Sequence, residues 1–321
     1  MNDKRTSLIL EALDKRWNDY HAILKLCRRE ATKEAVHDLR VATRRLITLI
    51  ELLRVLAPHP RLQKLHKDFK DQLDSFEGLR DTQVMVVEIS EALEELPQAE
   101  PFLRYLMKRE KRLLGVAGKQ IHQTKPGNLI KRVSAVRKSM VKLSASQAEL
   151  DRLVLDTVDD AFSLVMHRVG LLDRAQPPTV HRLRIVFRKF RYLMEIVHPI
   201  VSDYPADNLA RMHEFQGWMG DIQDIEILLS CLGEFVEKEP AFDPLPVSQY
   251  FEERHAEAID LFFQNAAKVK SFWRASPTAR FPWNRPPRRK APPKPAPGIL
   301  PGEMLPGPAS PPMVPEKGGT T

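Results

Sequence analysis

The sequence VHDLRVATRRLITLIELL occupies residues 36–53, and VHRLRIVFRKFRYLMEIV occupies residues 180–197. Seven of the 18 aligned positions are identical, and most of the others exchange one apolar residue for another or arginine for lysine. A shorter match follows in the same order, in which Leu79-Arg-Asp-Thr-Gln83 aligns with Met219-Gly-Asp-Ile-Gln223. Two ordered matches about 140 residues apart indicate an internal duplication.

The body of the chain has the apolar spacing of amphipathic helices. Apolar residues recur at intervals of three and four, strand-like alternation is scarce, and prolines fall between the periodic segments. Long helices with short connections predict an all-α fold built from bundles. We therefore expect two related helical bundles about a pseudo-two-fold axis. Each should contain a leading helix, the His/Arg helix, a connecting helix and a turn with glycine and aspartate.

The C-terminal region differs in composition from the rest. Fourteen of the 26 prolines lie between Ser276 and Thr321, with seven Lys or Arg and two Asp or Glu. This density of proline predicts a disordered or polyproline II tail over residues 275–321. The body at 1–274 would then divide into halves at about 1–145 and 146–274. The tail is either a solubilising extension or an auxiliary basic arm or docking ligand.

Bulk composition excludes several classes of protein. No run of about 18 apolar residues predicts a membrane span, and the N-terminus does not have the pattern of a signal peptide. Cys27 and Cys231 lack metal-ligand spacing, which is typical of idle thiols in a reducing cytoplasm. No phosphate-binding or dinucleotide glycine motif is present, so we expect no cofactor. The oligomeric state is not predicted.

Charge placement matters more than the net charge of +8, because the tail carries +5 and leaves +3 for the body. On each His/Arg helix the basic residues fall within an arc of about 60° to 80°. Like charges at this spacing disfavour a helix, so acids from a neighbouring helix or a bound polyanion must offset them. The same stripe in both halves favours the polyanion, since guanidinium forks suit phosphate oxygens. The stripes comprise His37, Arg40 and Arg44, and His181, Arg184, Arg188 and Arg191.

Other basic residues could widen such a site, although each taken singly is more typical of a solvated side chain. They are Lys64, Lys67, Arg104, Lys108, Arg112, Arg211 and Arg254. Asp81 and Asp221 each precede an apolar segment. That position is typical of a helix N-cap, and the alternative is a carboxylate that orients an arginine of the stripe.

The repeated pattern His-x-x-Arg-x-x-x-Arg-[Arg/Lys] with a later Gly and Asp resembles the CHAD family, the conserved histidine α-helical domains. The resemblance covers roughly residues 8–273. It implies two four-helix bundles that line a basic cavity, binding of inorganic polyphosphate and, in many members, association with polyphosphate granules. It adds Arg45 and Lys189 to the binding residues of the stripes. Ile47 stands where the second half has Arg191, so the halves are not equally basic.

Two other functions stay open at this stage. A nucleic-acid binder would prefer aromatic platforms among its basic residues, and the stripe helices offer Phe187, Phe190 and Tyr192 in the second half alone. A metal-dependent phosphohydrolase needs clustered histidines and carboxylates, and the His37-Asp38 pair is not repeated. We therefore expect a non-enzymatic binder of polyphosphate or of other polyanions, with no metal site.

Overall fold

The computed structural model describes residues 4–142, 146–201 and 203–284. This part of the chain contains ten α-helices, short turns and 3-10 segments but no β-strand, which confirms the all-α prediction. No helix within these ranges has the length and apolar character needed to cross a bilayer. The helices are α1 (Lys4–Arg29), α2 (Lys33–Leu56), α3 (Pro60–Asp74), α4 (Glu77–Ala92), α5 (Glu100–Gln123), α6 (Pro126–Val141), α7 (Gln147–Val169), α8 (Pro178–Val197), α9 (Asn208–Val236) and α10 (Leu245–Asn265).

Prolines and caps set the helix ends where the sequence predicts them. Helix α3 begins at Pro60 and α8 at Pro178, positions at which the missing N–H would have no partner within the helix. Helix α2 begins after Thr32, whose hydroxyl accepts a hydrogen bond of 3.1 Å from the Ala35 amide. These caps fix the start of α2 and so fix the direction of its basic face.

The first bundle consists of α1, α2, α3 and α6, each packed against two of the others. Helix α2 directs four leucines, at positions 39, 46, 49 and 53, into this core, and all are at most 1 % exposed. They are the residues that the apolar spacing places opposite the basic stripe. Burial of this face leaves the stripe pointing away from the first bundle.

The second half continues the same core. Helix α8 packs against α7, α9 and, across the repeat, α2. Its apolar face contributes Phe187 and Phe190, which contact each other and the aromatic rings of Phe215 and Phe162. The core around α2 and the core around α8 form one continuous cluster, so the two His/Arg helices are held by both halves.

A second hydrophobic core, separate from the first, is shared by the two halves. Helices α4 and α5 of the first half pack with α9 and α10 of the second. Their shared apolar cluster includes Met85, Phe102, Phe235 and Phe251. The halves therefore interlock, with two helices from each contributing to one four-helix group.

Two local expectations are wrong. The sequence match predicts a turn at residues 218–220, but α9 runs unbroken from Asn208 to Val236. In the first half the chain does break, between α3 and α4. The N-cap interpretation of Asp81 and Asp221 is also wrong, because both residues lie inside helices, beyond the first turn. A glycine at position 220 is compatible with a helix that tertiary packing supports, since its propensity cost is only about 1 kcal/mol.

Both cysteines are free and buried, in different cores. Burial raises the pKa of the Cys27 thiol to about 11, and its sulfur lies 3.1 Å from the Ala35 carbonyl oxygen. Burial also raises the pKa of Cys231. Since the thiolate is the reactive form, both residues are inert structural thiols at neutral pH.

The folded body extends to Asn284, ten residues beyond the boundary that composition suggests. The Asp159 carboxylate of α7 accepts a hydrogen bond of 2.7 Å from the Trp273 indole and two from the Arg274 guanidinium. Phe281 and Trp283 then stack on each other beside Trp273. The prediction of disorder is therefore wrong for residues 275–284, whereas residues 285–321 lie outside the described part of the chain.

We expect Asp159→Asn to lower the free energy of unfolding by about 2 kcal/mol or more, because it leaves the Arg274 guanidinium without its carboxylate partner. Thermal and urea denaturation followed by circular dichroism measure the change. The exposed neighbour Asp160 provides the control, and Asp160→Asn should alter stability little. Equal stability of the two variants would contradict this role for Asp159.

Candidate functional site

Helices α2 and α8 meet in an antiparallel pair held by two equivalent ion pairs. Arg45 of α2 lies 3.2 Å from Glu195 of α8, and Lys189 of α8 lies 3.7 Å from Glu51 of α2. Arg45 and Lys189 are matching positions of the duplication, and so are Glu51 and Glu195. Reciprocal contacts of this kind are the signature of a two-fold relation. The predicted axis therefore passes between these two helices.

Four arginines along this helix pair have no acidic partner within 4.0 Å in the described part of the chain. They form two matching sets, and the guanidinium Nε atoms of three of them, Arg40, Arg44 and Arg184, are buried without a hydrogen-bond partner. A buried cation without a partner is costly, so such a group is rare unless something else neutralises it. We call these four residues the arginine cluster: Arg40 and Arg44 from α2, and Arg184 and Arg188 from α8.

Arg40 and Arg188 each have other arginines of the cluster as neighbours, and burial together with these charges lowers their pKa values. Burial, then the neighbouring Arg44 and Arg80, lower the pKa of Arg40 to about 9. Burial, then Arg44 and Arg184, lower the pKa of Arg188 to about 10. Arginine stays charged at neutral pH even so, and the cluster is a set of mutually repelling cations from both halves.

The two histidines of the stripes lie at the edge of the cluster. His37 is exposed, three residues before Arg40 on α2. His181 is half-buried and its Nδ1 atom has no partner. Burial, followed by the positive charge of Arg184, lowers the pKa of His181, and the carboxylate of Glu226 opposes this shift. His181 is therefore neutral at pH 7 in the free protein.

A fifth arginine, which the sequence argument missed, reaches the cluster from α4. Arg80 forms a bidentate salt bridge with Asp224 of α9, in which its Nη1 lies 2.5 Å from Oδ1 and its Nη2 lies 2.7 Å from Oδ2. Its Nη1 also lies 3.3 Å from Oδ1 of Asp81. Its charge lowers the pKa of both Arg40 and Arg184. Arg80 lies within the second repeat match, but glycine stands at the equivalent position 220, so comparison of the halves gives no signal for it.

Several predicted residues are neutralised by acids in the structure. Arg191 binds Glu195 at 2.6 Å and Gln216 at 2.9 Å, and Arg254 binds Glu88 at 2.8 Å. The interhelical ion pairs described above occupy Arg45 and Lys189. These contacts use the cations to hold helices together, and they leave the arginine cluster as the part of the stripes that is free to take a ligand.

The remaining basic candidates lie apart from the cluster or are exposed. Arg211 bonds to Asn208 and Ser271. On α5, Arg104 and Lys108 line an open groove of about 710 Å³ with the aromatic rings of residues 105, 235 and 242. None of the four cluster arginines lines this groove. Three further candidates are simply exposed, namely Lys64 and Lys67 on α3 and Arg112 on α5.

The two aspartates of the second repeat match have different surroundings. Asp81 accepts a hydrogen bond of 3.3 Å from the adjacent Arg80, which is not one of the stripe arginines that the alternative interpretation named. Asp221 lies on α9, where partial burial of its carboxylate, then the charges of Asp224 and Glu88, raise its pKa, and the nearby Arg184 and Arg254 oppose this shift. The two positions match in sequence but do not make the same contact.

The aromatic residues on the stripe helices do not form a platform for bases. Phe187 and Phe190 are fully buried, and Tyr192 is 7 % exposed beneath the guanidinium of Arg191. Stacking of nucleobases needs open ring faces. Within the described residues, no group of three or more His, Cys, Asp or Glu side chains is arranged to hold a metal ion.

Comparison with known proteins gives a consistent relationship. The family model described as the CHAD domain matches residues 11–233. The crystal structure of the CHAD domain from the plant Ricinus communis superposes with a TM-score of 0.60 at 16% identity, covering 83% of this chain and 89% of that one. PptA from Streptomyces chartreusis gives a TM-score of 0.51 at 17% identity, covering 82% and 99%. At these identities the likeness is one of fold, and no curated protein matches the chain.

We expect Arg40→Met and Arg191→Met to change stability in opposite directions, although both replace a buried arginine on the central helix pair. The first removes an unpaired cation and should raise the free energy of unfolding by about 1 kcal/mol. The second breaks a salt bridge and should lower it by about 2 kcal/mol. Urea denaturation at low phosphate measures both changes. Destabilisation by Arg40→Met would indicate that the guanidinium has a partner in the free protein.

Proposed function

The chain belongs to the CHAD domain family, and from this premise we propose that it binds inorganic polyphosphate, without catalysing a reaction, at the arginine cluster between α2 and α8. One observation carries the proposal. Arg40, Arg44, Arg184 and Arg188 are half-buried or buried, each is an electrostatic neighbour of another member, and they lack acidic partners within 4.0 Å in the described part of the chain. A cluster of unpaired cations has a free-energy cost that a polyanion removes on binding.

The chemistry of the cluster suits a chain of phosphates. Each guanidinium presents a planar fork that can bond two phosphate oxygens, and such charge-assisted bonds are the stronger class. Successive phosphates of a linear chain can contact successive arginines, and the two-fold relation places equivalent donors on both sides of the axis. The partial burial of these side chains strengthens each charge interaction relative to one in open water.

Other polyanions fit the site less well. The aromatic rings on the stripe helices are packed in the core, so bases of a single-stranded nucleic acid would have no stacking partner there. Polyphosphate needs no such partner, because it consists of phosphate groups alone. Residence in the cytoplasm and association with polyphosphate granules are part of the same proposal, and a fluorescent fusion carrying cluster substitutions would test them.

We expect the double variant Arg40→Ala/Arg184→Ala to reduce polyphosphate affinity by a factor of about 100 or more, since each charge-assisted bond contributes about 1.5 to 3 kcal/mol. Titration calorimetry at two salt concentrations measures the affinity and its salt dependence, which should become shallower as phosphate contacts are lost. A chain ending at Asn284 separates this site from the basic tail, since residues 1–284 form one compact unit.

The double variant Arg45→Ala/Lys189→Ala is the matched control, because it also removes two cations from matching positions of α2 and α8. Both are committed to ion pairs with Glu195 and Glu51, so polyphosphate affinity should fall much less. Similar losses of polyphosphate affinity in the two double variants would contradict the assignment of the arginine cluster as the binding site. Preference for single-stranded DNA in competition, or phosphate release with Mg²⁺ or Mn²⁺, would favour the other two functions.

We expect polyphosphate affinity to rise as the pH falls from 8 to 6, through His181. Burial and Arg184 hold the pKa of this histidine below its usual value in the free protein. Phosphates beside it would raise that pKa, so binding takes up a proton wherever the pH lies between the two values. Calorimetry in buffers of different ionisation enthalpy measures this uptake, and His181→Gln should abolish most of it. Uptake that persists in this variant would assign the proton to another group.

A further inference from the structure

Arg80 lies beside the arginine cluster and is bound to acidic residues of the described part of the chain. Both of its terminal nitrogens face the two oxygens of Asp224, and one of them also faces Asp81. We propose that Arg80 is a further phosphate-binding residue of this site, and that Asp224 competes with the ligand for it. This inference rests on the proposed function and adds a residue that sets which ligands the site accepts.

The contacts of α9 place Arg80 next to the cluster. Gly220 and Asp224 are four residues apart on α9 and so lie on the same face of that helix. The guanidinium of Arg184 lies over Gly220, where a Cβ atom would come within 3.6 Å of its Nη2. Arg80 is bound to Asp224, one turn further along. Arg80 and Arg184 therefore approach the same face of α9 from α4 and α8.

The geometry of the pair also permits exchange of partners. The side chains of Arg80 and Asp224 are 23% and 14% exposed, so neither is sealed from a ligand that reaches the cluster. A phosphate group presents the same two-oxygen edge to a guanidinium as a carboxylate does. Transfer of Arg80 from Asp224 to a phosphate therefore conserves the number of hydrogen bonds of the guanidinium.

That transfer has a cost, because Asp224 is left as a negative charge near the incoming anion. A single phosphate, or a very short chain, offers few contacts with which to offset this cost. A long chain binds the four cluster arginines at the same time and presents further phosphates to Arg80. Competition by Asp224 thus favours ligands with many adjacent charges, which is specificity through a repulsive element.

The alternative is that the pair only braces α4 against α9. These two roles of the Arg80–Asp224 salt bridge predict opposite effects of Asp224→Asn on polyphosphate binding. If Asp224 competes, its neutralisation releases Arg80 and tightens binding. If the pair only braces the helices, its loss loosens the site and weakens binding.

The test uses the full-length chain and titration calorimetry with long-chain polyphosphate and with tripolyphosphate. We expect Asp224→Asn to tighten tripolyphosphate binding about three- to tenfold and long-chain binding by less, with a steeper salt dependence. Asp221→Asn is the matched control, since it removes the same charge three residues away on the same helix, also near Arg184, but breaks no ion pair among the described residues. It should tighten binding clearly less than Asp224→Asn.

The variant Arg80→Gln tests the arginine of the same salt bridge. It should weaken long-chain binding more than tripolyphosphate binding, and Arg80→Gln/Asp224→Asn should lose the gain of Asp224→Asn. The proposal is overturned if Asp224→Asn binds no tighter than Asp221→Asn, or if its gain persists in the double variant. If Asp224→Asn does not fold, Arg80→Gln decides alone, because equal loss on both ligands overturns the proposal. Failure of the unaltered protein to bind polyphosphate would instead refute the proposed function itself.

Discussion

Packing of α2 against α8 forces the cations of Arg40, Arg44, Arg184 and Arg188 into one region, and their mutual repulsion is the constraint that the rest of the structure accommodates. The opposite faces of these helices carry the leucines and phenylalanines of one continuous core. Burial of that much apolar surface contributes far more free energy than the repulsion costs. The core can therefore hold the four guanidinium groups near one another despite their mutual repulsion.

The acidic residues decide which cations stay free. Glu51 and Glu195 neutralise Lys189 and Arg45 across the axis, and Glu195 also binds Arg191. No described carboxylate reaches the four members of the cluster within 4.0 Å. The same helix pair thus separates its arginines into one group that stabilises the fold and another that is available to a ligand. If the second group binds the proposed ligand, its arginines lower stability in the free protein, which is the usual opposition of stability and function.

The interlocking of the two halves extends this arrangement beyond the helix pair. Helices α4 and α9 come from different halves and pack in the second core, which brings Arg80 and Asp224 beside the cluster. A ligand at the cluster would therefore contact elements of both halves and of both cores. The cluster is itself built from both halves, because two of its arginines lie on α2 and two on α8.

The sequence alone determined the helical architecture, the duplication and the two basic stripes, because these follow from local periodicity and from comparison of the chain with itself. It also placed most helix ends, since proline acts on its own backbone. It could not determine that α9 is continuous through Gly220, that Trp283 belongs to the folded body, or which arginines are paired. Several of these outcomes depend on contacts with distant segments, such as that of Asp159 with Trp273 and that of Glu195 with Arg45. Only the tertiary structure brings such segments together, because residues far apart in the sequence have no fixed distance until the chain is folded.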